Sequence, residues 1–285
     1  MSASGGVVSV VVPTLNASGL IDACLSSIVA QTYPGIELIV VDGHSSDDTV
    51  QRALAYTPKV FLHGTRPPMP GTFSAPDQRN DGAARATGEF VYYVDADMVL
   101  PPELIDQCVS LMNEEAADAV IVPERSFGLG FWSSVKAFER SFYSGDNLVE
   151  APRFVRLSVW KALGGLDVSV GGNDDWDFHM RLQKRGYRVA RVTFEVLHNE
   201  GRLSLGRLAR KRFVYGRYVR RFVKKHGMSQ TVRHYNPVRR YLSKSDRLVR
   251  HPTEAVALLL MRVIEYGAGA AGMALGPPSE HRASS

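Results

Sequence analysis

The chain has 285 residues, of which 45% are hydrophobic and 22% charged, a globular composition that argues against wholesale disorder. Its two cysteines, Cys24 and Cys108, lack metal-ligand spacing, which argues against a disulfide framework and fits a reducing compartment. The net charge is +5, yet residues 202–250 hold 12 Arg and 4 Lys against one Asp. That segment carries +15 and the rest of the chain −10, so we expect an acidic body and a basic segment that faces an anionic partner.

The amino-terminal two thirds of the chain alternate short β-branched runs with amphipathic stretches. Residues 1–16 have no basic region and only a short apolar run before Pro13, so we expect a first strand of a cytoplasmic protein and no signal peptide. The pattern predicts strands at 7–12, 36–41, 59–63, 89–94 and 119–123, and helices near 18–32, 77–87, 101–115, 128–145 and 174–185. A loop rich in Pro and Gly follows residue 63.

Continuous apolar strands separated by helices predict a mostly parallel sheet covered on both faces. Ligands of such sheets collect at the carboxyl ends of the strands. Three polar segments fall there: PTLN (13–16), DGHSSDD (42–48) and DAD (95–97).

The segment 95–97 places two carboxylates after a buried strand. Asp95 and Asp97 would lie about 6 to 7 Å apart and repel each other unless a cation lay between them. Oxygen ligands of this kind suit Mg²⁺ or Mn²⁺, which take their remaining ligands from phosphates and water. The alternative is a turn with two solvated acids.

Three segments together resemble the family 2 glycosyltransferases: residues 8–49, QRNDGAARATGEFVYYVDADMVLPPELI (78–105) and DDWDFHMRLQKRGYRV (174–189). The resemblance implies an α/β fold of the GT-A (Rossmann-like) type for residues 1–200. It also implies an inverting transfer of a sugar from a nucleoside diphosphate donor, with Mg²⁺ or Mn²⁺ on the diphosphate. Residues 201–285 are predicted to form a basic, amphipathic helical region.

The resemblance assigns the nucleotide to the first two polar loops. Pro13, Thr14 and Asn16 match the loop that wraps the nucleotide, and Asp42 matches an acid that contacts the base or ribose. Gly43 stands where the family often has a second acid. The structural alternative for the first loop is a capped connection between strand and helix.

The diphosphate and its cation are assigned to three further segments. Arg79 and Asn80 match the donor-binding helix, where a guanidinium suits phosphate oxygens. Asp95 is assigned to the ribose or a water of the metal, and Asp97 to the metal itself. His198 is a third candidate metal ligand, with a capping or core histidine as the alternative.

The acidic cluster NDDWD (173–177) matches the catalytic position of the family. An acceptor hydroxyl must lose its proton as it attacks the anomeric carbon, and a carboxylate can accept that proton. Asp175 is the candidate base, and Asp174 is assigned to orienting the acceptor. Acids at a helix amino terminus also stabilise the helix whatever the function, but crowding Asp174, Asp175 and Asp177 costs repulsion that capping does not require.

The basic helix predicted near 204–225 has apolar and aromatic residues along one stripe and cations largely elsewhere. The stripe consists of Leu205, Leu208, Tyr215, Tyr218 and Phe222. Such a helix suits an anionic membrane surface, and the alternative is a helix packed on the acidic body. Both can hold at once.

The last apolar segment, 253–276, is interrupted by Arg262 and Glu265 and is not expected to span a membrane. Burial on the domain, a homodimer contact and insertion into one leaflet stay open for it. We expect peripheral attachment to the cytoplasmic face of the membrane and an acceptor that is lipid-linked or a glycan. The alternative is a membrane-binding or nucleic-acid-binding protein without transferase activity, although no nucleic-acid-binding motif accompanies the basic segment.

Overall fold

The computed structural model describes residues 6–64 and 75–277. The first five residues of the expected signal-free amino terminus lie outside the described residues, as does most of the expected loop after residue 63.

A seven-stranded sheet forms the centre of the protein, and β1 is completely buried within it. Its spatial order is β3 (Val60–Leu62), β2 (Ile36–Asp42), β1 (Val8–Thr14), β4 (Phe90–Tyr93), β8 (Pro152–Arg156), β6 (Ala119–Ile121) and β9 (Val189–Arg191). Strand β1 pairs in parallel with β2 and β4, whereas β8 runs antiparallel to β4 and β6. The predicted mostly parallel sheet is confirmed.

Helices cover both faces of this sheet. Val8, Val10 and Val12 of β1 belong to one buried cluster and Val11 to another, as the alternation of side chains along a strand requires. The helices of this part are α1 (Ile21–Val29), α2 (Thr49–Leu54), α3 (Ala75–Arg85), α4 (Leu104–Glu114), α5 (Phe131–Ser141), α6 (Leu157–Leu163) and α7 (Asp174–Lys184).

A second, three-stranded sheet lies beside the first and was not predicted. It consists of β5 (Met98–Val99), β10 (Val196–Asn199) and β7 (Glu124–Phe127). In its register His198 lies opposite Met98, and Val196 lies opposite Glu124. The small sheet therefore brings His198 beside the segment that carries Asp97.

The carboxyl-terminal region is helical, as predicted. Its helices are α8 (Leu205–His226), α9 (Met228–Tyr235), α10 (Val238–Ser243), α11 (Ser245–Arg250) and α12 (Pro252–Leu275). Helix α12 packs along α8 and also contacts α5. The two long helices approach closely because Gly216 and Gly272 lie at the contact, where a Cβ would overlap the backbone of the facing helix. The division at residue 200 into two regions stays a prediction.

The structure decides which side of α8 faces the protein. Leu208, Tyr218 and Phe222 of the predicted stripe are buried, and the rings of Tyr215 and Tyr218 lie against Gly172 and Gly171. The expectation that this stripe rests on a membrane is therefore wrong, because the protein itself covers it. The alternative, a basic helix packed on the body, is the one observed.

The expectation that α12 does not span a membrane stays a prediction. By length and composition alone the helix is apolar enough to cross one, although 33% of its most apolar stretch is buried in the protein. Arg262 and Glu265 do not interrupt an exposed surface, because both are buried and pair with each other at 2.8 Å.

Candidate active site

The first polar loops meet at the carboxyl ends of β1 and β2. The buried carboxylate of Asp42 accepts hydrogen bonds from the Ser45 amide at 2.8 and 3.1 Å, and Asn16 Oδ1 accepts one from the Ser46 amide at 2.8 Å. Asn16 has a φ of 50°, a left-handed conformation that asparagine tolerates. These bonds shape a cradle in which Pro13 and Thr14 are buried and Asn16 is exposed.

Helix α3 is held directly above these strand ends. The Gln78 amide donates to the backbone carbonyls of Thr14 and Val41, both at 2.9 Å. Gly82 lies against Val11, and a Cβ there would overlap the valine side chain. This close approach buries Arg79, which is 7% exposed, at the edge of the sheet.

Arg79 lies among three of the predicted acids. Its Nη2 is 2.5 Å from Asp95 Oδ1, and its Nη1 is 3.1 Å from Asp174 Oδ2 and 3.4 Å from Asp175 Oδ1. The expected phosphate ligand is thus paired with carboxylates here, and its contact with phosphate stays a prediction. Asn80 exchanges two hydrogen bonds with the backbone of Leu166, so its side chain holds the loop before α7.

A second arginine, the partly buried Arg153 of β8, completes the group and was not predicted. It lies 2.8 Å from Asp95, 2.9 Å from Glu124 and 3.5 Å from Asp175. We call Arg79, Arg153, Asp95, Asp174 and Asp175 the carboxylate cage.

Both arginines of the cage lie over the ring of Tyr93. Its centroid is 4.9 Å from the guanidinium carbon of Arg79 and 5.6 Å from that of Arg153, within cation–π range. The Tyr93 hydroxyl lies 3.0 Å from Asp175 Oδ1. Asp175 is therefore held by two cations and a hydroxyl, yet its side chain keeps 27% exposure.

The environment separates the protonation of the acids in the cage. Burial alone would raise the pKa of Asp95, but the charges of Arg79 and Arg153 overcome it and hold this pKa well below its usual range. Burial and the charge of Asp175 raise the pKa of Asp174 to about 8, in spite of Arg79. At neutral pH Asp95 is thus ionised while Asp174 holds a proton.

Asp97 and His198 form a pair next to the cage. His198 Nε2 is 3.3 Å from Asp97 Oδ2, and His198 Nδ1 is 3.0 Å from Glu124 Oε2. Burial lowers the pKa of His198, but the hydrogen bonds to these two carboxylates outweigh it and raise the value to about 10. When one ring nitrogen of a histidine binds a metal, the other commonly binds a carboxylate that orients the ring, as Glu124 does for His198 Nδ1.

Four buried side-chain polar atoms lack a hydrogen-bond partner within the described part of the chain, and three of them belong to predicted site residues: Thr14 Oγ1, Arg79 Nε and Asp97 Oδ1. Buried polar atoms are nearly always paired, so such a concentration indicates a place for a ligand. The Asp97 carboxylate suits Mg²⁺ or Mn²⁺, and His198 could add a ligand only after it loses its proton, because a ligating imidazole must be neutral. Among the described residues no group of three such side chains could hold a metal alone, so the substrate would have to supply ligands.

The acidic helix start is built by a tight turn. The segment Val168–Asn173 is a 3-10 helix with a left-handed Gly171, and it delivers Asp174 and Asp175 to the first turn of α7. Asp177 points elsewhere and binds Arg181 at 2.7 Å and Lys225 at 2.6 Å. Asp177 therefore ties α8 to α7.

Helix α9 forms a wall against the start of α7, where Trp176 follows Asp175 in the chain. The Trp176 ring packs on His234 and Tyr235, with centroids 5.4 and 5.3 Å apart, and the Tyr235 hydroxyl donates to Asn173. This wall, which we call the α9 wall, was not predicted. Its aromatic residues gave no signal in the sequence beyond a short helical pattern.

The predicted residues occupy two neighbouring groups. Asp95, Asp174, Asp175 and Arg79 meet in the cage, with Asp97 and His198 beside it, whereas Pro13, Thr14, Asn16 and Asp42 form the cradle at the adjacent strand ends. Arg153, Glu124 and Tyr93 were not predicted from the sequence. The available signal for Arg153 was an arginine next to the apolar residues of a strand.

The family model described as Glycosyl transferase family 2 matches residues 9–154. A PGL/p-HBAD biosynthesis glycosyltransferase of Mycobacterium bovis (strain BCG / Pasteur 1173P2) is 28% identical over 196 residues, which cover 66% of this chain and 74% of the relative. The poly(ribitol-phosphate) beta-N-acetylglucosaminyltransferase TarS of Staphylococcus aureus (strain Mu50 / ATCC 700699) is 31% identical over 117 residues, 40% of this chain and 20% of TarS.

Solved structures share the fold. The mannosyltransferase PcManGT of Pyrobaculum calidifontis, in complex with GDP-Man and Mn²⁺, superposes with a TM-score of 0.57 at 22% identity and covers 95% of this chain and 80% of its own. S. aureus TarS 1–349 in complex with UDP gives 0.56 at 16% identity, with coverage of 94% and 90%. The fold, the matched family model and the site together show that the chain belongs to glycosyl transferase family 2, with the GT-A fold.

Proposed function

We propose that the protein is an inverting, metal-dependent glycosyltransferase that moves a sugar from a UDP- or GDP-sugar to a hydroxyl or phosphate acceptor. The observation that carries this proposal is the position of Asp175, which Tyr93 and two arginines restrain beside the Asp97–His198 pair. The proposed proton acceptor and the proposed cation ligands are thus linked through Arg153 and Glu124. The complexes of TarS with UDP-GlcNAc and of PcManGT with GDP-Man and Mn²⁺ support a nucleotide-sugar donor with a cation.

The donor lies across the strand ends in this proposal. Pro13, Thr14, Asn16 and Asp42 bind the nucleoside, with Thr14 Oγ1 as a free hydrogen-bonding atom. Asp97 and His198 would hold the cation, and a bound cation would offset the charge that develops on the leaving diphosphate. Asp95 contacts the ribose or a metal-bound water.

The acceptor enters from the α9 wall. Its hydroxyl attacks the anomeric carbon while Asp175 takes the proton, and the bond from that carbon to the diphosphate oxygen breaks, its electron pair leaving with the diphosphate. Asp174, protonated at neutral pH, can donate a hydrogen bond that orients the acceptor. Arg79 and Arg153 hold Asp175 in place through this step.

The acceptor is lipid-linked or a glycan, and the protein attaches peripherally at the cytoplasmic face of the membrane. The name of the mycobacterial relatives, which describes a role in biosynthesis, is consistent with such an acceptor. Whether the protein forms a homodimer stays open in this proposal.

The substitution Asp175→Asn tests the proposed base. It removes the proton acceptor but keeps the size of the side chain, so release of nucleoside diphosphate from the donor should slow about 10²- to 10⁴-fold while donor binding persists. Asp22→Asn serves as the matched control. Asp22 is an exposed acid of α1 that pairs with Arg52 of α2, so this variant should turn over normally. Undiminished turnover in Asp175→Asn would refute the assignment.

A further inference from the structure

Helix α12 has two faces of different character. Its buried face contains Ala257, Leu258 and Met261, which pack with α5 and α8, and the charged pair Arg262 and Glu265. Both charges are satisfied inside the protein, because Arg262 also binds Glu139 and Glu265 lies 3.4 Å from Lys136. The charges in the middle of this helix are therefore absent from its outer surface.

The opposite face is apolar and exposed. Val256 is 69% exposed, Leu259 64%, Leu260 50% and Val263 70%. Their spacing of three and four residues places them on one side of the helix. Toward the carboxyl end the same side continues with Gly267, Ala270, Ala271 and Ala274, of which all are exposed. We call these eight residues the apolar stripe, which extends over about 27 Å at 1.5 Å per residue.

Cations flank the carboxyl end of the apolar stripe. There Arg217 Nε donates to the Gly276 carbonyl at 2.6 Å, and the exposed Arg220 approaches the Ala274 carbonyl at 3.5 Å. At the amino end the exposed Arg250 of α11 lies 3.5 Å from the exposed Asp246, and Glu254 follows in the first turn of α12. The stripe thus has a cationic rim at its carboxyl end, whereas the acids near its start offset Arg250.

Charge decides between the two occupants that could cover this stripe. A second copy of the chain would bring a second basic segment, residues 202–250 with a charge of +15, close to the first, and like charges disfavour association. Anionic lipid headgroups would instead pair with the cationic rim and the other cations of this segment while the acyl chains receive the apolar side chains.

We propose that the apolar stripe of α12 lies in the plane of an anionic bilayer and is the membrane-contacting surface of the protein. This deepens the function proposed above and rests on it for the acceptor. The Tyr266 hydroxyl, at the edge of the stripe, donates to the Tyr235 carbonyl at 3.1 Å, and Tyr235 packs on Trp176 next to Asp175. The apolar stripe is thus joined through Tyr266 and Tyr235 to the α9 wall, by which the proposed acceptor enters, and this fits an acceptor carried by a lipid.

Vesicle binding tests the proposal. The full chain is sedimented with vesicles of phosphatidylcholine alone and with vesicles that contain equal parts phosphatidylglycerol and phosphatidylcholine. We expect binding to the anionic vesicles that weakens about tenfold or more in the double variant Leu259→Gln/Val263→Gln, because two inserted side chains lose their apolar contact. The variant Arg220→Gln/Arg250→Gln should lose roughly fivefold per arginine, and less at high salt.

The control variant Val29→Gln/Leu54→Gln changes two apolar side chains of equal exposure, 54% each, on α1 and α2. It should bind vesicles like the wild type. No binding of the wild type to anionic vesicles, or equal binding by the Leu259/Val263 variant, would overturn the proposal. A dimer in sedimentation velocity that this variant dissociates would assign the stripe to a second copy and overturn it as well.

Failure here can be separated from failure of the proposed transferase function. Titration of the same proteins with UDP and GDP in Mn²⁺ needs no lipid, because the cradle and the cage lie outside α12. Nucleotide binding without vesicle binding would overturn the membrane proposal alone. Loss of both would count against the two proposals together.

Discussion

Arg153 contacts three carboxylates that are far apart in sequence: Asp95, Glu124 and Asp175. Burial of an arginine is costly unless its charge is paired, and the three acids provide that pairing. One guanidinium thus contacts both Asp175, the proposed base, and Glu124, the partner of His198. A substitution at the proposed cation site should therefore also alter the position of the proposed base.

The substitution Glu124→Gln tests the support of the cation site. It removes the charge facing His198 Nδ1, so we expect the affinity for nucleotide in Mn²⁺ to fall about tenfold to hundredfold, as is usual when the partner of a metal ligand is changed. Affinity in EDTA should change little. Calorimetry in the two conditions measures the difference.

Glu89→Gln is the matched control, because Glu89 pairs with Arg156 at an exposed site beside the start of β4. An equal loss of affinity with and without metal in Glu124→Gln would mean that Glu124 supports the fold rather than the cation.

Asp174 makes stability depend on pH in a defined direction. Burial and the charge of Asp175 raise the pKa of Asp174 to about 8, whereas the pKa of an aspartate in the unfolded chain is about 4. The folded state therefore binds this proton more tightly, and the stabilisation, complete below about pH 4, is lost as pH rises through about 8. In Asp174→Asn this loss should vanish.

Urea unfolding at pH 5, 6, 7 and 8 at constant ionic strength measures the effect. The free energy of unfolding should decline more steeply with pH in the wild type than in Asp174→Asn, with Asp22→Asn behaving as wild type. Identical slopes for all three proteins would contradict the assigned protonation.

At the scale of elements, the contact of α8 with α12 depends on two glycines. A Cβ at Gly216 would overlap the Gly269 carbonyl, and backbone cannot move aside as a flexible side chain can. Gly216→Ala should therefore lower the free energy of unfolding by about 1 to 3 kcal/mol, in spite of the higher helix propensity of alanine.

Gly206→Ala on the same helix is the control, because nothing lies within 4 Å of its added Cβ. It should be neutral or slightly stabilising in the same urea experiment. Destabilisation by both variants alike would show that the close contact is not the cause.

The elements that the sequence predicted well are those with long, regular patterns. The helix expected near 174–185 is α7 (Asp174–Lys184), and the one near 204–225 is α8 (Leu205–His226). Strand β8 was not predicted because it begins with Pro152 and contains two arginines. Strand β5 was not predicted because it has only two residues. Their pairing is long-range and leaves little local trace in the sequence.

The same limit applies to the site. The acids and Arg79 follow from motifs at strand and helix ends, whereas Glu124 and Arg153 depend on the second sheet and on an antiparallel strand inserted beside β4. The amphipathic pattern of α8 identified its apolar side correctly but could not say whether protein or lipid covers it. The exposed stripe of α12 was likewise hidden, since Arg262 and Glu265 interrupt the segment only in sequence.

At the scale of the whole molecule, two anionic partners account for the polarised charge. The nucleotide is assigned to the strand ends and their carboxylate cage, where a cation must mediate between phosphates and acids. The lipid surface is assigned to the basic carboxyl-terminal helices. A buried cluster of Lys136, Glu139, Arg262 and Glu265 fastens these helices to α5, so the two surfaces have a fixed relation.

The most direct test of the central claim is calorimetric titration of the full chain with UDP and with GDP, in Mn²⁺ and in EDTA, on the wild type and Asp97→Asn. We predict that one nucleotide binds the wild type in Mn²⁺, and that EDTA or the substitution weakens this binding about tenfold or more. Equal affinity in Mn²⁺ and EDTA, or an unaffected Asp97→Asn, would contradict the cation site formed by Asp97 and His198. Failure of both nucleotides to bind in Mn²⁺ would contradict the proposed donor class itself.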